Sequence, residues 1–414
     1  MSAEARGPAT RAPSPSRMPD PYRLLFPIGL TWGVIGAGLW PLHALGALPW
    51  PAVAHRSLMI QGFEHSYVLG FLLTAIPGFT KGERCRPAEL VIAALSALAF
   101  GIAALAGQAL VAQGAFVLSV AMLLVAVARR LRRPKVAPPL ELMFVGFGLL
   151  LGFAGGLVQL ADAAGTPLTA PRFGERLVSL GMVLSLVLGV GGLLVPTFTG
   201  MRDPLVIPGV AGAHERRGRL ALYATLIAAF ALAFVIERAG HARAGTLLRA
   251  AAATTIGLMV WKLWRLPGRR DTPAFVLWGS GWLMMAGLWV VALVPAFTLG
   301  GLHLVFIGGF GLLTLGIGTR VVVAHGRHPI ADERRVLTPL VVTLVGVTLI
   351  ARLAAEWWPA MAVHLLATSG TAWTLGWMLW AARALPRIGR TAAAPALHPV
   401  ASAHAGSHPR VGPD

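Results

Sequence analysis

Twelve stretches of about 20 apolar residues, the length that crosses a bilayer as a helix, can be laid along the chain with short polar joints between them. They fall near 24–45, 57–80, 88–107, 109–128, 140–162, 177–200, 219–239, 244–264, 274–294, 300–325, 337–356 and 358–384. The pattern predicts an all-α polytopic membrane protein with a transmembrane domain over 21–388. Segments 1–20 and 389–414 are biased in composition and are expected to be disordered cytoplasmic tails. No apolar core of a cleaved signal peptide is visible in the first 20 residues. Composition agrees with this picture: 56% of residues are hydrophobic, 12% are charged and the mean hydropathy is +0.71. Lipid is the solvent for most of such a chain.

The formal charge of +19 would suggest nucleic acid in a soluble protein. Here its distribution follows topology instead. With both termini on one side, that side holds 28 of the 35 Lys and Arg residues and the other holds 7. RRLRRPK (129–135) and HERRGRL (214–220) then read as cytoplasmic anchors in an inner membrane, and nucleic acid is not an expected partner.

Polar residues inside the apolar runs mark candidate chemistry, because an ionisable group at bilayer depth costs roughly 2.5 to 3.5 kcal/mol. The second span, QGFEHSYVLGFLLTAIPGF (61–79), carries two such groups, Glu64 and His65, and the polar Gln61 near its start. Ser57, Gln61, Glu64 and His65 fall on one narrow stripe at helical spacing, and His65 lies ~12 Å below the outer boundary. The stripe is expected to face protein or a cofactor. His303 near the start of the tenth span, His364 near the start of the twelfth, His55 and His43 share the outer half. Neutral imidazole is a good ligand for iron, copper and zinc. A metal site and a set of hydrogen-bonded packing histidines are both open readings. Glu64 is either a proton carrier, an acceptor that orients an imidazole N–H, or one member of a buried pair that pins two helices. Arg352 and Glu356 are four apart and read first as an ion pair, with Arg352 as a clamp for haem propionates second. Arg320 reads as a snorkelling cation. His398, His404 and His408 could bind metal weakly in the last tail, where solvation is the default. Trp282, Trp373 and Trp377 lie within spans and are candidates to wall a pocket.

One cysteine, Cys85, excludes an internal disulfide, an all-Cys iron–sulfur cluster and covalent C-x-x-C-H haem. Similar span endings recur every four helices: GFLLTAIPGFTKG (70–82), GGLLVPTFTGMR (191–202) and GFGLLTLGIGTR (309–320). Three four-helix units are one reading, and chance likeness of Gly-rich segments is the other.

Two segments together resemble the NnrS family, haem- and copper-containing membrane proteins of bacterial nitric oxide metabolism. HRSLMIQGFEHSYVLGFLLTAIPGFTKG (55–82) is similar to the family's W-H-x-H-E-M-x-x-G-F followed by G-F-L-L-T-A-x-P, with His55, Met59, Gly62, Phe63 and Gly70 to Ala75 in register. LHLVFIGGFGLLTLGIGTRVVVAHGRHP (302–329) matches at His303, Gly308, Gly311, Thr314, Leu315, Gly316, Thr319, Arg320 and His325. The family's second histidine and its glutamate fall on Ser57 and Leu58, and its helix 6 arginine falls on Leu193. The resemblance implies a b-type haem near the outer face, for which His65 and His303 are the expected ligands and Arg352 and Gln61 further contacts. His55 and His364 are then candidates for copper. Nitric oxide is the implied ligand, in denitrification or under nitrosative stress, either turned over by an oxidoreductase in which Glu64 delivers protons or bound by a protective protein. A haem–copper oxidase is a distant alternative, since the span 219–239 lacks its histidine pair. A proton-coupled secondary transporter using Glu64 is the alternative from another class.

Overall fold

The computed structural model describes residues 19–201 and 213–389. Most of both expected tails, with His398, His404 and His408, lies outside the described residues. Among those described, all regular structure is helical. Twelve long helices follow in order: α1 (Tyr22–Ala44), α2 (52–80), α3 (Pro87–Leu105), α4 (Ala109–Arg132), α5 (Leu142–Ala163), α6 (Phe173–Phe198), α7 (Ala213–Arg238), α8 (Ala242–Met259), α9 (Thr272–Leu293), α10 (Pro295–His325), α11 (Pro339–Trp357) and α12 (359–389). A short helix, Glu333–Val336, sits between α10 and α11. The protein is an integral membrane protein, as the apolar pattern predicts.

Helix starts are set by local chemistry. Pro87 opens α3, and Glu89 accepts the Arg86 backbone N–H at 2.9 Å, which closes a capping box. Asp271 caps α9 by accepting from Ala274 N at 3.1 Å. The hydrophobic pattern does not foretell a feature shared by three of the helices. α2, α6 and α10 each contain a π-helical segment near the same end: Leu58–Glu64, Leu177–Val183 and Leu304–Gly311. A π segment bonds i to i+5 and so carries a surplus residue, and such segments gather at functional sites. Their recurrence every fourth helix supports three four-helix units over chance likeness. α2 meets α6 through the π segments and α10 through the α-helical part that follows. The bundle closes where α12 packs along α1. At that seam Gly370 is required, because a Cβ there would stand 2.4 Å from Ala37 O.

Most of the basic joints share one end of the bundle with both chain ends. Arg23 Nη1 donates to Ile388 O, Lys135 N to Thr80 O at 2.9 Å and Arg269 N to Thr199 O at 3.0 Å. Carboxylates pair with part of that charge. Glu89 takes Arg129 and Arg130 at 2.6 and 2.7 Å, and Glu141 takes Arg219 at 2.6 Å with the Tyr223 hydroxyl. Arg320 pairs with Glu333 at 2.5 Å and stacks on Phe198 rather than snorkelling. Burial alone would raise the Asp271 carboxyl, but Arg269, the Ala274 N–H and Arg334 together hold it below the usual range. Burial and the Glu89 charge push the Cys85 thiol up to about 12, so it stays protonated.

Candidate functional site

At the end opposite the basic joints, α1, α2, α10, α11 and α12 leave a cavity of about 60 Å³. That is room for about four waters. His55 and Met59 of α2 and His303 of α10 face it, together with Arg352 of α11 and Trp373 of α12.

The two histidines are held in the same way. His55 Nδ1 lies 2.9 Å from Gly36 O on α1, and His303 Nδ1 lies 2.7 Å from Leu299 O one turn back. A carbonyl can only accept, so each Nδ1 carries a proton, and in the neutral ring each Nε2 keeps a lone pair. This tautomer is assigned from the hydrogen bonds. Imidazoles that ligate metal through Nε2 are oriented in this fashion, with Nδ1–H on a backbone carbonyl. Local structure explains their positions. His303 is the last residue before the π segment of α10, and Met59 lies inside the π segment of α2. Among the described residues no group of three or more His, Cys, Asp and Glu side chains could hold a metal. The donor set at the cavity is therefore two imidazoles and the Met59 thioether.

Arg352 is partly buried, and its charge acts on both imidazoles. The expected ion pair with Glu356 is not formed. Among the described residues Arg352 makes no hydrogen bond and no ion pair within 4 Å. Glu356 instead turns to the start of α10, where a Cβ at Gly300 would stand 2.8 Å from its Oε2, a buried oxygen without a partner.

The other expected site residues diverge. Gln61 exchanges amide hydrogen bonds of 2.8 and 3.2 Å with Gln113 on α4. His65 also faces α4: Nε2 is 2.7 Å from Ser119 Oγ and the ring packs on Phe116, leaving Nδ1 buried without a partner. Glu64 faces α10, where Thr314 Oγ1 donates to its Oε2 at 3.0 Å. His364 is on the exposed face of α12. So the structure brings His55, His303 and Arg352 together, and it sets His65, Gln61, Glu64 and His364 outside the cavity wall. Of the three pocket tryptophans, Trp373 lines the cavity, Trp377 is buried beside it with rings 5.4 Å apart, and Trp282 is 39% exposed. Sequence reasoning passed over Gln113 and Ser119, polar positions in an apolar run whose pairing across helices leaves no local signal.

Comparison with known families agrees with the motifs around these residues. A search of curated proteins matches none. The family model described as "NnrS protein" matches residues 18–391. That span takes in all twelve helices, and the chain belongs to the NnrS family.

Proposed function

We propose that this membrane protein of the nitric oxide response holds a metal ion between His55 and His303, with the Met59 thioether as third donor. The carrying observation is the pair of imidazoles whose Nδ1 atoms both rest on backbone carbonyls at 2.9 and 2.7 Å. Imidazole with thioether suits copper, above all in its reduced state. When bound, the ion supplies an open position for nitric oxide and a one-electron couple. The chain's own residues do the rest. Gly36 O and Leu299 O fix the imidazoles, Trp40 and Trp373 wall the cavity, and Arg352 sets its positive potential. Glu64 lies next to Phe63, whose ring meets Trp373 at 5.6 Å, and is assigned the part of holding and passing a proton at its carboxyl. By the positive-inside rule the basic end faces the cytoplasm and the cavity faces outward.

The b-type haem that the resemblance implies does not fit this cavity as the helices stand. Pockets that hold ligands of drug size measure roughly 300 Å³ or more, against about 60 Å³ here, and Gly370 ties α12 to the α1 backbone. One experiment tests both groups: metal analysis, and a dithionite-reduced minus oxidised spectrum of the purified protein, repeated on His55→Ala and His303→Ala. Copper at one per chain, lost in both folded variants, is the expected result. Copper retained in both would end the assignment, and a b-type spectrum lost with His65→Ala would move the cofactor to the α2–α4 face.

A further inference from the structure

Arg352 departs from the way this protein treats its other inward-facing arginines. Arg130, 3% exposed, pairs with Glu89 at 2.7 Å, and Arg249, 1% exposed, pairs with Glu237 at 2.6 Å. Arg352 faces the cavity with no ion pair within 4 Å among the described residues, and the Glu356 charge acts on it only from further away. Its one acidic neighbour, Glu356, is turned to α10. Arg352 is only partly buried, so its guanidinium, which lacks an ion pair within 4 Å, is open to a ligand that enters the cavity.

A second orphan stands in the same wall. The Trp373 indole N–H is buried and has no acceptor. The cavity's hydroxyls do not accept from it: Ser369 Oγ donates to Thr348 O and Thr348 Oγ1 to Leu344 O, both at 2.9 Å. The wall thus offers donors that lack acceptors, one of them cationic. We propose that the cavity is a receptor site for a small monovalent oxyanion, held by the Arg352 guanidinium and the Trp373 N–H. The planar fork of Arg suits two oxygens on one centre. A cavity of about 60 Å³ takes an anion of three or four atoms and excludes phosphate esters and lipid headgroups. The inference uses the cavity of the metal reading as its site but asks nothing of a metal, so metal-free protein tests it alone.

The experiment is isothermal titration of the full-length, metal-free protein in detergent with sodium nitrite, then with nitrate and inorganic phosphate. Chloride is replaced by gluconate throughout. Nitrite is expected to bind at one site per chain, weakened at least about tenfold by Arg352→Gln, the loss of a charge-assisted bond. Trp373→Phe should weaken it less, Arg352→Lys should keep part of it, and Arg383→Gln should leave it unchanged. Phosphate should not compete. Equal binding by the parent and Arg352→Gln, or no saturable binding to the metal-free parent, would overturn the proposal. Displacement of nitrite by phosphate would overturn its size class. Copper retained by a parent that ignores nitrite would sink the anion site and leave the metal reading standing. Nitrite bound by a parent that takes up no copper would do the reverse.

Discussion

The ends of α6, α7 and α8 and the ends of α10, α11 and α12 are built to one plan and finished differently. Each has a π segment entered from a polar residue, Arg176 in one and His303 in the other. Each has a glutamate as the penultimate residue of the next helix, Glu237 and Glu356. In the first region Arg249 reaches Glu237 at 2.6 Å, Arg176 takes the other carboxylate oxygen, and both Arg249 and Glu237 are almost fully buried. Arg249 also lies over the Phe234 ring at 4.2 Å. In the second region the arginine is on α11, the glutamate turns away from it, and a cavity remains. A closed ion cluster stabilises only its own geometry, whereas unpaired groups around a cavity are the usual mark of a ligand.

The harshest way to break this contrast is Arg249→Gln. It leaves Glu237 buried with only the half-exposed Arg176, and should cost about 3–5 kcal/mol. Thermal melting in detergent reads it against Arg352→Gln, which should change stability by less than about 1 kcal/mol. Equal losses would erase the distinction between the two regions. Gly370→Val comes next. It pushes α12 off Ala37 O and should cost about 1–3 kcal/mol, with loss of copper from a chain that keeps its helical circular dichroism. Copper retention at full stability would mean that the α1–α12 seam does not shape the cavity.

A milder test sharpens the contrast between paired and orphaned charge. Glu356→Gln should shift the melting free energy by under about 1 kcal/mol, since no partner is lost. A larger drop would reveal a pairing to Arg352. The smallest effect is expected at the basic end. Asp271 is held below its ordinary range in the folded chain, so its stabilising contribution is fully present above the unfolded value of about 3.9 and fades as pH falls through the folded one. Melts of parent and Asp271→Asn should therefore differ from neutral pH down to about 4 and converge only below it. Convergence already at pH 6 would contradict the paired state.

The fold was largely legible, because twelve apolar runs in a bilayer have few alternatives. His55 and His303 were also legible as candidates, from residue type and depth. Their grouping was not. Gln61, Glu64 and His65 look like one stripe at a period of 3.6, yet Leu58–Glu64 is π-helical. Gln61 and His65 both face α4 while Glu64 turns to α10. Nothing in the residues LMIQGFE announces an i to i+5 bond. The Gln113 and Ser119 partners belong to another helix, and which helix packs where is set by the whole bundle. Arg352 misled for a related reason: spacing of four allows a pair with Glu356, but Gly300 gives that carboxylate another bed.

The surplus residue in each π segment is a form of slack in an otherwise tight rod. Deleting one residue within 304–311 would let that turn close into an ordinary α-helix. Everything on its far side would then swing by about 100° about the axis. His303 sits immediately before this turn, like a handle on a crank. Its angle toward α2 is thus set by the length of the glycine-rich segment that follows it, and a one-residue deletion there should unseat the metal while leaving the helical bundle in the membrane.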